Sequence, residues 1–333
     1  MISYILEDIR NNITDFYPGS GAVRNITVKN ISKENSAIVY RIKANCDKGK
    51  RLLFFKSHGD SANISDRNYN RYIDANYEFS MLSKMNYCFS KIQGYSIVKP
   101  FKFYEKYNGY LMEGINFPSL ELKIKTYGNI FSEIIFAKRL RSMCFLTGKF
   151  LATFHRKSKN LEELDIEFIK KQISNGTIRK KENLYNYFHQ MYPGFIDAAF
   201  RKNIKVIISK NAEELNLACI HNKFRPEHVF VKKDELILTD FQCFDYGSIY
   251  EDISRFLVSL DRLSINRMIS PSLMTKLKKE FKLGYGDLNH TLLRLFILKR
   301  YLRYYQLSKN LNNSEKLLNW YRVKIIKTIA TLS

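Results

Sequence analysis

Two hydrophobic periods divide the chain. Up to about residue 114 apolar residues alternate with polar ones in short runs, whereas beyond residue 129 they recur at spacings of three and four. The first period predicts an antiparallel sheet. Runs at 24–28, 36–43 and 51–56 are separated by the polar turns 33–35 and 47–49, and further strands are expected at 96–104, through Pro100, and at 110–112. A short amphipathic helix precedes them at residues 1–13, closed by the turn signal Pro18-Gly19-Ser20-Gly21. One helical stretch interrupts the sheet at 69–84, where Tyr72, Ile73, Tyr77, Phe79 and Leu82 keep helical spacing and Glu78 lies among them.

The second period predicts helices at 131–142 and 144–157, then a segment at 161–200 with an acidic start and a basic middle, then closing helices at 273–281, 288–307 and 314–332. A single hairpin breaks this helical half. Val229-Phe230-Val231 and Leu236-Ile237-Leu238 flank the polar connection Lys232-Lys233-Asp234-Glu235. These patterns predict two domains, residues 1–114 and residues 115–333, joined through the connector 112–118. The class is α+β, with a five-stranded antiparallel sheet and one helix in the first domain and a larger, mainly helical second domain.

Composition changes this picture in two respects. The 333 residues carry 55 Lys and Arg against 32 Asp and Glu, a net charge of +23 that suits an anionic partner or surface. No nucleic-acid motif accompanies the charge, and Lys299, Arg300 and Arg303 among aromatics are explained by an amphipathic helix, so nucleic acid is not the expected partner. The five cysteines are an odd number, widely spaced within apolar runs, which predicts buried thiols in a reducing compartment. The first residues include Glu7, Asp8 and Arg10 where a signal peptide needs an apolar core, and no run reaches the ~18 apolar residues of a membrane span. A cytoplasmic protein is expected.

Candidate chemistry gathers at the edges of these elements. Lys56 ends the third strand, where an ammonium on a stiff support can hold phosphate as a point charge. Glu78 on the following helix can pair with it, and Asp240 ends the second strand of the hairpin, where a carboxylate can hold a metal. His221 opens the loop before the hairpin. His155 reads as a residue at a helix end rather than a ligand.

Taken in order, strand with Lys56, helix with Glu78, two strands, a hinge at Leu111-Met112-Glu113, helices ending Leu151-Ala152-Thr153-Phe154-His155, the His221 loop and a hairpin leading to Thr239-Asp240-Phe241 resemble one family. It is the aminoglycoside phosphotransferase and choline kinase branch of the protein-kinase-like superfamily, with Asp252-Ile253 after the site also resembling its pattern. The resemblance implies a bilobal protein-kinase-like fold and an ATP- and Mg-dependent transfer of phosphate to a small-molecule or saccharide acceptor. By the same resemblance Lys56 holds the nucleotide phosphates, Glu78 orients it, Met112 and Gly114 form the nucleotide-side hinge, His221 braces the loop and Asp240 binds Mg. Two positions depart from the family. Lys223 stands where the aspartate facing the substrate hydroxyl is expected, and His228 stands at the second metal ligand, where bacterial lipopolysaccharide kinases are similar in having His. An ammonium held charged beside phosphates accepts no proton, so the loop admits two expectations, slow catalysis or a pseudokinase that binds without turnover.

Overall fold

A computed structural model of the chain describes residues 1–34, 37–58, 75–129, 132–158, 184, 186–188, 198–215, 217–265 and 269–332. Most of the segment at 161–200 and the first turns of the helix expected from residue 69 lie outside the described residues. Contacts group the chain into two compact units, Met1–Pro118 with Phe230–Cys243, and Ser119–Val229 with Phe244–Ser333.

In the first unit a helix, α1 (Ile2–Phe16), is followed by β1 (Val23–Glu34), β2 (Ala37–Cys46) and β3 (Gly49–Ser57). After α2 (Ala75–Phe89) come β4 (Tyr95–Ile97), β5 (Pro100–Tyr104) and β6 (Gly109–Glu113). The antiparallel sheet runs β1-β2-β3-β6-β5, the five strands that the alternation predicts. The pleat decides what each face carries. Leu53 and Phe55 of β3 point with Ile42, Ala44 and Leu111 into one apolar cluster, which Ile5, Ile9, Ile13 and Phe16 of α1 complete. Spacings of four, four and three put those α1 residues on one stripe. Lys56, one residue on from Phe55, therefore belongs to the other face, where Phe79 of α2 packs 6.0 Å from Tyr110 and 5.9 Å from Phe103.

The expected strand 96–104 is two strands. Pro100 cannot donate to a ladder and so starts a new strand rather than continuing one. β4 instead pairs in parallel with β9 (Glu235–Leu238), which is joined to β8 (Val229–Lys232) through a turn with Lys233 at φ 49°. This small sheet, β4-β9-β8, brings the hairpin into the first unit.

The second unit is mainly helical, with α3 (Leu120–Tyr127), α4 (Glu133–Lys157), α5 (Ala198–Lys210), α6 (Tyr250–Leu263), α7 (Pro271–Tyr285), α8 (His290–Asn310) and α9 (Glu315–Ala330). The two helices expected at 131–142 and 144–157 are one, α4. Buried Leu140, Met143, Cys144 and Thr147 keep the helical spacing across the supposed break. The long helix crosses α7 at glycines. A Cβ on Gly148 would stand 2.1 Å from the Phe281 carbonyl, and one on Gly284 would stand 1.9 Å from that of Phe145. Each glycine gives up about 1 kcal/mol of helix propensity for that backbone contact.

A second correction concerns strands within this half. β7 (Leu217–Ile220) and β10 (Asp245–Ser248) form an antiparallel ribbon on either side of the hairpin in sequence. Each has four residues and β10 reads DYGS, too short and too polar for alternation to reveal. Cys46, Cys144 and Cys219 are buried, and Cys88 and Cys243 are half-buried.

Candidate active site

The first unit assembles three of the predicted residues. Along α2 the buried residues Ala75, Glu78, Leu82, Met85 and Phe89 repeat at three and four, so Glu78 occupies a core position of its helix. It is 1% exposed, and a carboxylate at that depth needs partners. Lys56 Nζ supplies one at 2.9 Å, and His58 Nε2 supplies another at 2.9 Å from Oε2. Tyr110, the register partner of Lys56 across β3 and β6, lies near Glu78, whose charge acts on its phenol. Lys56 Nζ also donates to Asp240 Oδ1 at 3.1 Å.

Electrostatics follow from this packing. Burial works against the Lys56 ammonium, yet the charges of Glu78 and Asp240 outweigh it and raise its pKa well above the usual lysine value. Burial likewise works against the Glu78 carboxylate, while the Lys56 charge and the His58 hydrogen bond hold its pKa below the usual range. Burial, with Glu78 next, pushes the Tyr110 phenol well above its ordinary value, so it stays a donor. Asp240 has φ 64°, in the left-handed region that an L-residue enters at a cost of about 1 kcal/mol or more. Asp tolerates it better than most residues, and it turns the chain out of the hairpin at the point where the carboxylate meets Lys56.

Magnesium suits the donor set. It takes one or two carboxylate oxygens and completes its shell with phosphate and water, and the Asp240 side chain, 19% exposed beside a fixed ammonium, offers such an oxygen. Among the described residues no group of three or more His, Cys, Asp or Glu forms an all-protein cage. Met112 and Gly114 lie at the end of β6, with Met112 paired to Phe54 and Pro100. Gly114 N donates to Leu52 O at 2.8 Å, and a Cβ there would stand 2.6 Å from that oxygen. The glycine thus has a packing reason of its own.

The second unit assembles the loop residues around a carboxylate. Asp252, in the first turn of α6 and 0% exposed, accepts from the backbone N–H groups of His221 and Asn222, both at 2.7 Å. His155 Nε2 lies 3.2 Å from the same carboxylate, and its Nδ1 lies 2.8 Å from the Tyr285 hydroxyl. The α4–α7 glycine crossing places these two residues, since Tyr285 follows Gly284 and His155 lies two turns beyond Gly148. Burial works to protonate Asp252, but the His155 hydrogen bond and the charges of His155 and His221 hold its pKa below the usual range. Asn222 is left-handed at φ 56°, which folds the loop back so that Lys223 N donates to His221 Nδ1 at 3.2 Å. The His221 and His228 rings stand 6.2 Å apart, and Arg225 Nη2 lies 3.1 Å from His228 Nε2. Arg255 of α6 donates to Asn222 Oδ1 at 3.2 Å.

Among the residues of these networks not singled out for the site from the sequence are His58, Tyr110, His155, Tyr285 and Arg255. Strand periodicity held a signal for two of them. His58 follows Lys56 by two and Tyr110 sits opposite it, so both share the face of Lys56. His155 and Arg255 act through helix crossings, which leave no local pattern.

Neither a protein-family model nor a curated protein sequence matches this chain. Solved structures do. A choline kinase from Cryptosporidium parvum Iowa II aligns at TM-score 0.56 and 13% identity, covering 100% of this chain and 95% of that one. The choline kinase LicA from Streptococcus pneumoniae aligns at TM-score 0.53 and 12% identity over 98% and 99% of the two chains. The amicoumacin kinase hAmiN, in complex with AMP-PNP, Ca2+ and Ami, aligns at TM-score 0.50 and 12% identity over 100% and 96%. The chain has the protein-kinase-like fold of these small-molecule kinases: α+β, with a five-stranded antiparallel sheet in the N-terminal region and a helical C-terminal part.

Proposed function

We propose that the protein is a kinase-fold phosphotransferase that binds ATP with Mg and directs it to a small hydroxylated molecule. One observation carries the reading: a buried ammonium, Lys56, held at once by a buried carboxylate and by the Asp240 carboxylate that ends the hairpin. A pairing made only for stability would be replaceable by apolar side chains, because desolvating three charges returns little net stability. A site for triphosphate and metal needs them. In this reading Lys56 holds the phosphates, Glu78 and His58 keep its ammonium in place, Asp240 is a metal ligand, and Met112 and Gly114 line the nucleotide side. Bound Mg would neutralise charge on the transferring phosphoryl group. His221 braces the loop through Asp252, and similarity of fold to kinases acting on small acceptors supports the same class.

Lys223 favours a second reading, a pseudokinase used for binding. Phosphoryl transfer rests mainly on positioning and charge stabilisation, so nucleotide binding tolerates an ammonium at this place better than turnover does. Both readings require ATP binding. Calorimetric titration with ATP and Mg should saturate below millimolar nucleotide, and Lys56→Ala or Asp240→Asn should weaken binding by about tenfold or more. A flat titration of the wild type at millimolar ATP removes both readings.

A further inference from the structure

A cavity of about 540 Å³ in the second unit is lined by α3, α6, α9 and the turn that ends the His221 loop. Small-molecule sites typically measure roughly 300–1,000 Å³. The lining divides into an ionic side and an apolar side. On the ionic side Glu121 pairs with Lys125, and Glu227 pairs with Arg225 at 2.9 Å, so two carboxylates and two cations satisfy one another. Arg262 is a further cation of the lining. Its guanidinium lies 4.8 Å from the centre of the Tyr304 ring and has no carboxylate in ion-pair reach among the described residues.

The same helix brings a second group to Arg262. Ser259 precedes Arg262 by three residues and Leu263 by four, so the three share one face of α6, and all line the cavity. Ser259 is 7% exposed, and its hydroxyl is buried without a hydrogen-bond partner among the described residues. A helical serine can bond the carbonyl four residues back, and a buried hydroxyl that bonds nothing costs stability. Leu263, Ile265, Ile269 and Leu317 form the apolar side. An uncommitted guanidinium and an uncommitted hydroxyl thus stand next to apolar surface.

The charges already present limit what can enter. A cation would meet Arg262 and find both carboxylates taken. A dianion would face Glu227, whose carboxyl is pushed up by burial, with Arg225 opposing the rise and the Glu121 charge adding to it. One uncommitted positive charge balances one negative charge. We propose that this cavity binds a small monocarboxylate with an apolar body, its head held by Arg262 and the Ser259 hydroxyl and its body lying against Leu263, Ile265, Ile269 and Leu317. An arginine fork matches both oxygens of a carboxylate, and a hydroxyl donates to either. The inference uses none of the residues given to nucleotide or metal and is independent of the phosphotransferase reading.

The full-length chain should be titrated calorimetrically with octanoate, acetate, octanol and octylammonium. Octanoate should bind at one site, about tenfold or more tighter than acetate or octanol, and octylammonium should bind least. Arg262 is exposed, so Arg262→Gln should fold, and it should remove the advantage of octanoate over octanol. Ser259→Ala should be at least as stable as the wild type in urea unfolding, since the hydroxyl it removes is unpartnered, and yet bind octanoate about threefold to tenfold more weakly. Lys309→Gln, exposed on α8 and outside the cavity, reads general attraction to a basic surface and should leave the affinity unchanged. The proposal is overturned if acetate, octanol or octylammonium binds as tightly as octanoate, or if millimolar octanoate does not bind. It is equally overturned if octanoate affinity is unchanged in Arg262→Gln and Ser259→Ala, or falls as far in Lys309→Gln as in Arg262→Gln.

Discussion

The Lys56 network and the His221 loop solve one problem with opposite outcomes. Each is built on a carboxylate buried to within 1% of full exclusion, Glu78 in the first unit and Asp252 in the second. Each carboxylate is kept ionised by a histidine and by a second donor set, the Lys56 ammonium in one case and two backbone N–H groups in the other. Around Glu78 the groups that phosphate and metal require are all of the right type. Around Asp252 the scaffold of the loop is equally complete, but the side chain it presents two residues after His221 is Lys223. The difference teaches that scaffold and chemistry are separable: holding a loop depends on hydrogen bonds to its backbone, which a side-chain replacement leaves untouched.

Restoring the carboxylate is the strongest way to break this contrast. If the second unit differs from the first only in its presented side chain, Lys223→Asp should raise ATP consumption with a sugar, sugar acid or amino alcohol by about 10²- to 10⁴-fold, the usual worth of a positioned base. A wild type that already turns over as fast as the variant would show that the loop works with Lys223, and the pseudokinase reading would fall. Equal inactivity of both with every acceptor tried, while ATP still binds, would show that more than this one side chain has changed.

Removing the scaffold itself should cost stability as well as function. Asp252→Ala leaves the His221 and Asn222 N–H groups and the His155 ring buried without their acceptor, and a loss of about 3–5 kcal/mol is expected in urea unfolding. The pH dependence has a definite sign. A carboxyl whose folded pKa is depressed contributes stability that is present above its unfolded value and lost as pH falls through the folded one. Asp252 and Glu78 are both depressed, and Glu251 is held down to about 2 against an ordinary 4.5, by Lys299 and Arg300 outweighing burial. Stability should therefore fall as pH drops below about 4.5, and Asp252→Ala should flatten that fall. An unchanged acid profile in the variant would refute the assignment.

Much of the first unit was legible because its chemistry rides on local periods. Lys56 follows from a strand end and Glu78 from a helical stripe. Asp240 follows from a hairpin whose two apolar runs are short but clean. The His221 loop was legible as a position but not as a structure, because its support comes from α4, α6 and α7, through bonds between residues 30 to 130 apart in sequence. The β7–β10 ribbon was missed for a similar reason: its partners flank the hairpin, and its second strand has too few apolar residues to signal a face. The glycine crossing at Gly148 and Gly284 reads in sequence only as two helix-weakening residues, and the reason for them appears once the two helices touch.

The smallest expected effect sharpens the comparison from the first unit. Beside Glu78 stands the Tyr110 phenol, 1% exposed and directly across the sheet from Lys56, a neutral side chain of a kind the Asp252 carboxylate does not use. Tyr110→Phe keeps the ring's packing against Phe79 and removes only that hydroxyl, so a loss of about 1 kcal/mol in urea unfolding is expected. Its functional effect should be smaller than that of removing Lys56, because Lys56 and His58 still hold the carboxylate at 2.9 Å each. If instead Tyr110→Phe weakened ATP binding as strongly as Lys56→Ala, Glu78 would be positioned by the phenol rather than by the ammonium. The order of the first unit would then run from the sheet's cross-strand pair outward to the charge, not from the ion pair inward.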